Sequence, residues 1–170
     1  MRCYLVVANQ TLGGERLHEL VSERVRAGDS RFHVLVPATP SAELERPPGG
    51  DAATDEYVEA RHAARHLLED EVDEPTVAPV AEDPGRAFAR ERLARELAWL
   101  RRLGATASGE VGVPDPVEAI KLVLHRDHVD EIILSTLPTG RSRWLATDLP
   151  SRIRRAFGLP VVHVTGQQGP

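Results

Sequence analysis

Cysteine is nearly absent from this chain. The single residue, Cys3, lies inside an apolar run, so no intrachain disulfide framework exists and the thiol reads as a packed side chain rather than a nucleophile. No apolar stretch reaches transmembrane length, and the opening MRCYLVVANQ lacks a long apolar segment ahead of a small-residue cleavage site. Both absences predict a cytoplasmic protein with no membrane association. An excess of positive charge is also missing. The formal net charge of -5 removes any global case for nucleic acid as a partner. Aromatic residues make up 4% of the chain, which leaves Val, Leu and Ala to build the core. Lysine is reduced to Lys121 alone among 21 basic residues.

Charge is unevenly distributed. Residues 51–83 hold eleven acidic side chains against Arg61 and Arg65, a local charge of -9, and residues 139–170 hold five arginines against Asp148, a local charge of +4. The acidic segment is either a solvated surface or a docking surface for a protein partner.

At 170 residues the chain suits one domain with a sizeable core. Short β-branched runs alternate with amphipathic stretches. Strands are predicted at 3–8, 32–36, 106–111, 132–134 and 161–164. Helices are predicted at 15–26, 86–103, 117–124 and from about 148 to 157, with a further helix over 54–69. Tyr4, Leu5, Val6 and Val7 run without polar interruption, as in a strand covered on both faces. Leu17, Leu20, Val21 and Val25 form one stripe of the first long helix. Phe88, Leu93, Leu97 and Leu100 are expected to do the same in the helix over 86–103, which Gly104 closes. Asp115 and Asp148 stand where helix caps are expected, each followed closely by proline. The order is that of an α/β three-layer domain around a five-stranded, mostly parallel sheet. It forms a single domain over 1–166 with a short tail at 167–170. Residues 41–85, with Pro47-Pro48-Gly49-Gly50 and an acidic stretch containing Pro75, Pro79 and Pro84, read as an enlarged and mobile connection.

The stretch 130–164 organises the rest: a buried strand, a polar loop, an amphipathic helix and a final strand. Its loop follows the carboxyl end of a strand, where open α/β sheets bind ligands. Thr139, Gly140, Arg141, Ser142 and Arg143 offer hydroxyls, an open backbone and two positive charges. Other constellations are weaker. His62 and His66 share a helical spacing suited to zinc, but Ala63 stands where a zincin has its glutamate, and no metal site is expected. Ser135 and Ser142 lie outside any GxSxG elbow. His33 and His163 fall in strands and read as hydrogen-bonded core or interface residues. Trp99 and Trp144 read as packing residues, Trp144 with a place beside the candidate loop.

From Ile132 onward the chain resembles the universal stress protein superfamily. Gly140, Ser142, Arg143, Leu145, Ile153 and Pro160 sit where that family has its loop glycine, helix residues and final-strand proline. GVPDPVEAI at 112–120 is similar to the family's glycine-aspartate-proline turn, and Asn9 stands at its usual aspartate. The resemblance covers about residues 2–40 and 86–165. It implies the adenine nucleotide α-hydrolase-like fold with strand order 3-2-1-4-5, and a ligand crevice between the ends of the first and fourth strands. It also implies ATP or AMP as the ligand and a homodimer formed through the last strand. In that crevice Asn9 would meet a base or ribose, Gly140 and Ser142 would donate hydrogen bonds, and Arg141 and Arg143 would meet phosphate. The glycine pattern of ATP-binding members is altered, with Leu137 and Thr147 at glycine positions and Asp148 at the hydroxyl position. The expected function is thus a non-enzymatic stress-response or regulatory protein with a degenerate nucleotide- or anion-binding crevice. One alternative is a ligand-free dimeric interaction module. Another is an ATP-using hydrolase or adenylating enzyme of the same fold, which would need a glycine-rich loop that residues 9–14 do not supply.

Overall fold

The computed structural model describes residues 1–38, 83–138, 142, 144 and 147–166. The expected helix over 54–69, the pair His62 and His66, the acidic stretch except Asp83, and the tail at 167–170 lie outside them.

The first half runs β1 (Arg2–Val7), α1 (Glu15–Arg26), β2 (Ser30–Pro37), α2 (Pro84–Arg102) and β3 (Thr106–Gly112). The second half runs α3 (Pro116–Leu124), β4 (Glu131–Thr136), α4 (Leu149–Phe157) and β5 (Val161–Thr165). The strands form one five-stranded sheet of order β3-β2-β1-β4-β5, every pair parallel. β1 and β4 are central, with Val6 opposite Ile133. Tyr4 to Val7 and all six residues of β4 are buried, which is why their sequences read as continuous apolar runs.

Two cores flank the sheet. On one face Tyr4, Val6, Phe32, Val34 and Ile133 meet Leu17 and Val21 of α1 and Ala89, Leu93 and Leu100 of α2. On the other face Leu5, Val7, Leu35, Ile132 and Leu134 meet Ala119, Ile120 and Val123 of α3 and Leu149 and Ile153 of α4. Alternate residues of each strand feed opposite layers, so this is a three-layer α/β/α domain.

Two local readings need amendment. Phe88 is 44% exposed, and the stripe that α2 buries is Gly85, Ala89, Leu93, Glu96 and Leu100. Small residues at the start of that stripe let the helix lie close to the sheet. Asp148 does occupy the N-cap of α4, but in a left-handed conformation (φ 49°, ψ 43°) and with no side-chain cap bond. Asp115, by contrast, caps α3 as expected, its Oδ1 accepting from the backbone N–H groups of Val117 (2.8 Å) and Glu118 (3.0 Å). Asp83 caps α2 in the same manner, accepting from Arg86 N–H at 3.3 Å.

At the amino ends of the strands, Glu131 is 5% exposed and its Oε1 accepts from Arg24 Nη2 at 2.9 Å and Nε at 3.2 Å. Arg2 Nη2 approaches the other carboxylate oxygen at 3.5 Å. This charge-matched group ties α1 to β4 across the bottom of the sheet.

Gly109 of β3 sits where a side chain would collide with both β2 and α2. A Cβ there would lie 2.5 Å from the Val34 carbonyl oxygen and 2.7 Å from Leu93 Cδ1. Since the first of these is backbone, Gly109→Ala is expected to lower stability by about 1–3 kcal/mol. Gly166→Ala, which would meet nothing within 4 Å, is expected to change it by less than about 0.5 kcal/mol. Urea midpoints of the two variants check the pair.

Candidate functional site at the carboxyl ends of the strands

The sheet order reverses between β1 and β4. From β1 the chain goes through α1 toward β2, whereas from β4 it goes through α4 toward β5 on the opposite face. The two loops diverge and leave a crevice at the carboxyl ends.

The floor on the β1 side is well defined. Ala8 N–H continues the ladder to Leu35 O at 3.3 Å. Asn9 then spans from β2 to α2: its Nδ2 donates to Pro37 O at 3.0 Å, and its Oδ1 accepts from Arg92 Nη1 at 2.8 Å. The β1–α1 turn closes with Leu12 N–H on Asn9 O (3.3 Å) and Gly14 N–H on Thr11 O (3.1 Å). Gly13 supplies the positive φ (80°) that this turn requires. α1 starts from Gly14 with no side-chain cap, so its first N–H groups face the loop without a protein oxygen from that residue.

Two hydroxyls stand out. Thr11 and Ser135 are each 1% exposed, and neither hydroxyl oxygen has a hydrogen-bond partner among the described residues. Ser135 follows Leu134, which pairs with Val7, so its Cα stands at the carboxyl end of β4 beside the turn that carries Thr11. Buried polar groups are nearly always paired, and each orphan costs about 1–3 kcal/mol.

On the β4 side, Ser142 is 9% exposed and its N–H donates to Pro138 O at 3.1 Å. Thr139, Gly140, Arg141, Arg143 and Leu145 lie outside the described residues. Trp144 is half-buried and packs against the α3/α4 core, and Thr147 Oγ1 donates to its carbonyl at 3.2 Å. The site residues expected from sequence are therefore described at two positions, Asn9 and Ser142, which sit on the two sides of the crevice.

Sequence reading missed Arg92, His18 and Glu96. Arg92 of α2 is half-buried, and burial together with neighbouring Arg95 holds its guanidinium below the ordinary value. His18 stacks on Trp99 with ring centroids 3.6 Å apart, and its Nε2 lies 3.0 Å from Oε2 of Glu96, a carboxylate residue only 3% exposed. The one available signal was Glu96 itself, an acid falling on the apolar stripe of a helix. No group of three or more His, Cys, Asp or Glu is placed for a metal ion among the described residues. No helix among them is long and apolar enough to cross a membrane.

The strand histidines are each hydrogen-bonded through one ring nitrogen, while the Nε2 of His33 is buried without a partner among the described residues. His33 Nδ1 lies 3.1 Å from Ser108 Oγ, and His163 Nε2 lies 2.8 Å from Thr136 Oγ1.

No protein-family model matches this chain, and no curated protein sequence matches it. Solved structures do. A universal stress protein from Archaeoglobus fulgidus superposes with a TM-score of 0.54 at 15% identity, covering 97% of this chain and 94% of that one. A universal stress protein family member from Arabidopsis thaliana with AMP bound gives 0.56 at 13% identity, covering 98% and 93%. A universal stress protein in complex with cAMP gives 0.55 at 14% identity, covering 98% of both chains. The chain thus has the fold of the universal stress proteins over nearly its whole length.

The two strand histidines generate a pH dependence. Burial pushes both His33 and His163 below the ordinary imidazole value. The folded state then binds fewer protons than the unfolded state, so their contribution is complete above about pH 6.5 and is lost as the pH falls through the folded values. Thermal melts at pH 7.5 and 5.5 are expected to show a drop in Tm that is smaller in His33→Asn and His163→Asn than in the parent protein.

Proposed function

We propose that this chain is a non-enzymatic, nucleotide-responsive regulatory protein of the universal stress type, which holds AMP or ATP weakly in the β1/β4 crevice. The observation that carries this reading is the pair of buried, unpartnered hydroxyls, Thr11 and Ser135, at the crevice. A bound ligand would satisfy what the protein leaves open. The neighbours crystallised with AMP and with cAMP name the ligand class. Asn9 meets the base or ribose, although its amide already joins β2 to α2. Thr139, Gly140 and Ser142 supply hydroxyl and backbone donors, while Arg141 and Arg143 meet phosphate.

The crevice is degenerate for a physical reason. Asp148 puts a carboxylate at the start of α4, where a helix N-terminus otherwise favours phosphate. AMP, with fewer charges, is the better ligand than ATP. The non-enzymatic reading rests on the absence from 9–14 of a glycine-rich catalytic loop, and a cytoplasmic setting on the scarcity of cysteine.

Isothermal titration tests the proposal. Millimolar AMP should give saturable binding. Asp148→Ser should tighten it about 3-fold or more, by removing a like charge worth about 0.3–1 kcal/mol or slightly more. Thr11→Val should weaken it about 3- to 10-fold while leaving the Tm of the free protein unchanged or raised, since the isostere removes an orphan hydroxyl. Absence of heat and of any thermal shift with both nucleotides would overturn the reading.

The protein acts as a dimer joined along β5. Among the described residues that strand pairs only with β4, and it is half-exposed throughout, so Val161, Val162 and Val164 sit on an edge whose outer N–H and C=O groups are open to a second strand. The parent protein is expected to have twice the chain mass by light scattering, and Val162→Lys to reduce it to one. A monomeric parent protein would exclude this assembly.

A further inference from the structure

A second concavity lies on the α1/α2 face, beside the crevice. It has a volume of about 170 Å³ and is lined by Leu12, Gly13, His18, Trp99 and a row of charged residues on α2. Arg92, Arg95, Glu96, Trp99 and Arg102 are each three or four positions from another of the set, so they share one stripe of the helix. Among the described residues, the acid in the wall, Glu96, lies with its Oε2 3.0 Å from His18 Nε2 and pairs with no arginine. Three arginines, Arg92, Arg95 and Arg102, line the pocket against that one described acid.

Arg92 is the deepest of them. Its Nη1 is committed to the neutral oxygen of Asn9 at 2.8 Å, and among the described residues it has no carboxylate partner. The opposite edge of its guanidinium, Nε–H with Nη2–H, is a two-donor fork of the shape that accepts a carboxylate in bidentate fashion. A half-buried guanidinium without an anion carries an unrecovered desolvation cost. Around that fork the surfaces are apolar: Leu12, the Gly13 backbone and the Trp99 ring stacked on His18.

We propose that this pocket binds a small organic carboxylate of single-ring size, its head on the free edge of Arg92 and its body against Trp99 and Leu12. The volume sets the size class. A cavity of about 150 Å³ holds a benzene ring, whereas sites for drug-sized molecules start at about 300 Å³. The site lies on the α1/α2 face, beside the crevice, and does not depend on the nucleotide reading. Exposed Arg102 stands at the rim and steers anions inward.

The test uses benzoate as the probe, on the full chain without nucleotide. The indole N–H signals of Trp99 and Trp144 are followed by ¹⁵N–¹H correlation spectra and assigned with Trp144→Phe. Benzoate should shift the Trp99 signal saturably, and both the uncharged benzamide and the ringless acetate should bind at least about tenfold more weakly. Arg92→Met and Arg92→Lys should each lose about tenfold or more in affinity, the lysine variant because it keeps the charge and loses the fork. The comparison of the three probes on the unaltered protein stands even where a variant fails to fold. Equal binding of benzamide or acetate, a shift at Trp144 instead of Trp99, full affinity in folded Arg92→Met, or no response to benzoate would each overturn the proposal.

Discussion

Handedness is the constraint on which this molecule depends. A parallel pair of strands joined through a helix must cross over right-handedly. The chain moves outward from β1 to β2 and β3, so α1 and α2 go to one face. It then returns to β4 and moves outward the other way to β5, so α3 and α4 go to the other. Nothing in that argument concerns a ligand. Yet it separates the β1 and β4 loops and leaves a crevice between them, so the site position follows from chain connectivity before any functional side chain is chosen.

The ends of the sheet then handle charge differently. At the amino end, Glu131 is buried and its carboxylate receives three guanidinium approaches from Arg24 and Arg2. Asp130, whose Oδ2 accepts from Cys3 N–H at 2.8 Å, is held below the usual carboxylate range chiefly by that bond. These groups are satisfied within the protein, which is what a structural end requires. At the carboxyl end the accounts stay open: Thr11 and Ser135 keep unpaired hydroxyls, and Arg92 meets a neutral amide. The asymmetry sets an amino end closed by the protein's own groups apart from the carboxyl end, where the crevice lies.

Much of the framework was legible in the sequence because burial on both sheet faces erases polar interruption. β1 and β4 announced themselves as apolar runs, α1 and α3 as stripes with clear stops, and Asp115 as a cap. Boundaries were less visible, since strands such as Ser30–Pro37 extend by backbone pairing past their apolar centres. Phe88 misled because size was read as burial. The inner stripe of α2 instead begins with the small residues Gly85 and Ala89. Asp148 misled because residue type at a helix start does not reveal backbone hand. Near the crevice, Asn9 and Ser142 were legible as polar positions after strand ends. Arg92 and His18 were not, because their roles depend on partners 83 and 78 residues distant in the chain.

Arg92 ties together the two concavities. One side of its guanidinium fixes Asn9, which in turn grips the end of β2 at Pro37 O; the other side faces the α1/α2 pocket. Any anion drawn to that free edge competes electrostatically for the same guanidinium that orients Asn9. The wall of the crevice and the wall of the pocket are thus joined through the hydrogen bond from Arg92 Nη1 to Asn9 Oδ1.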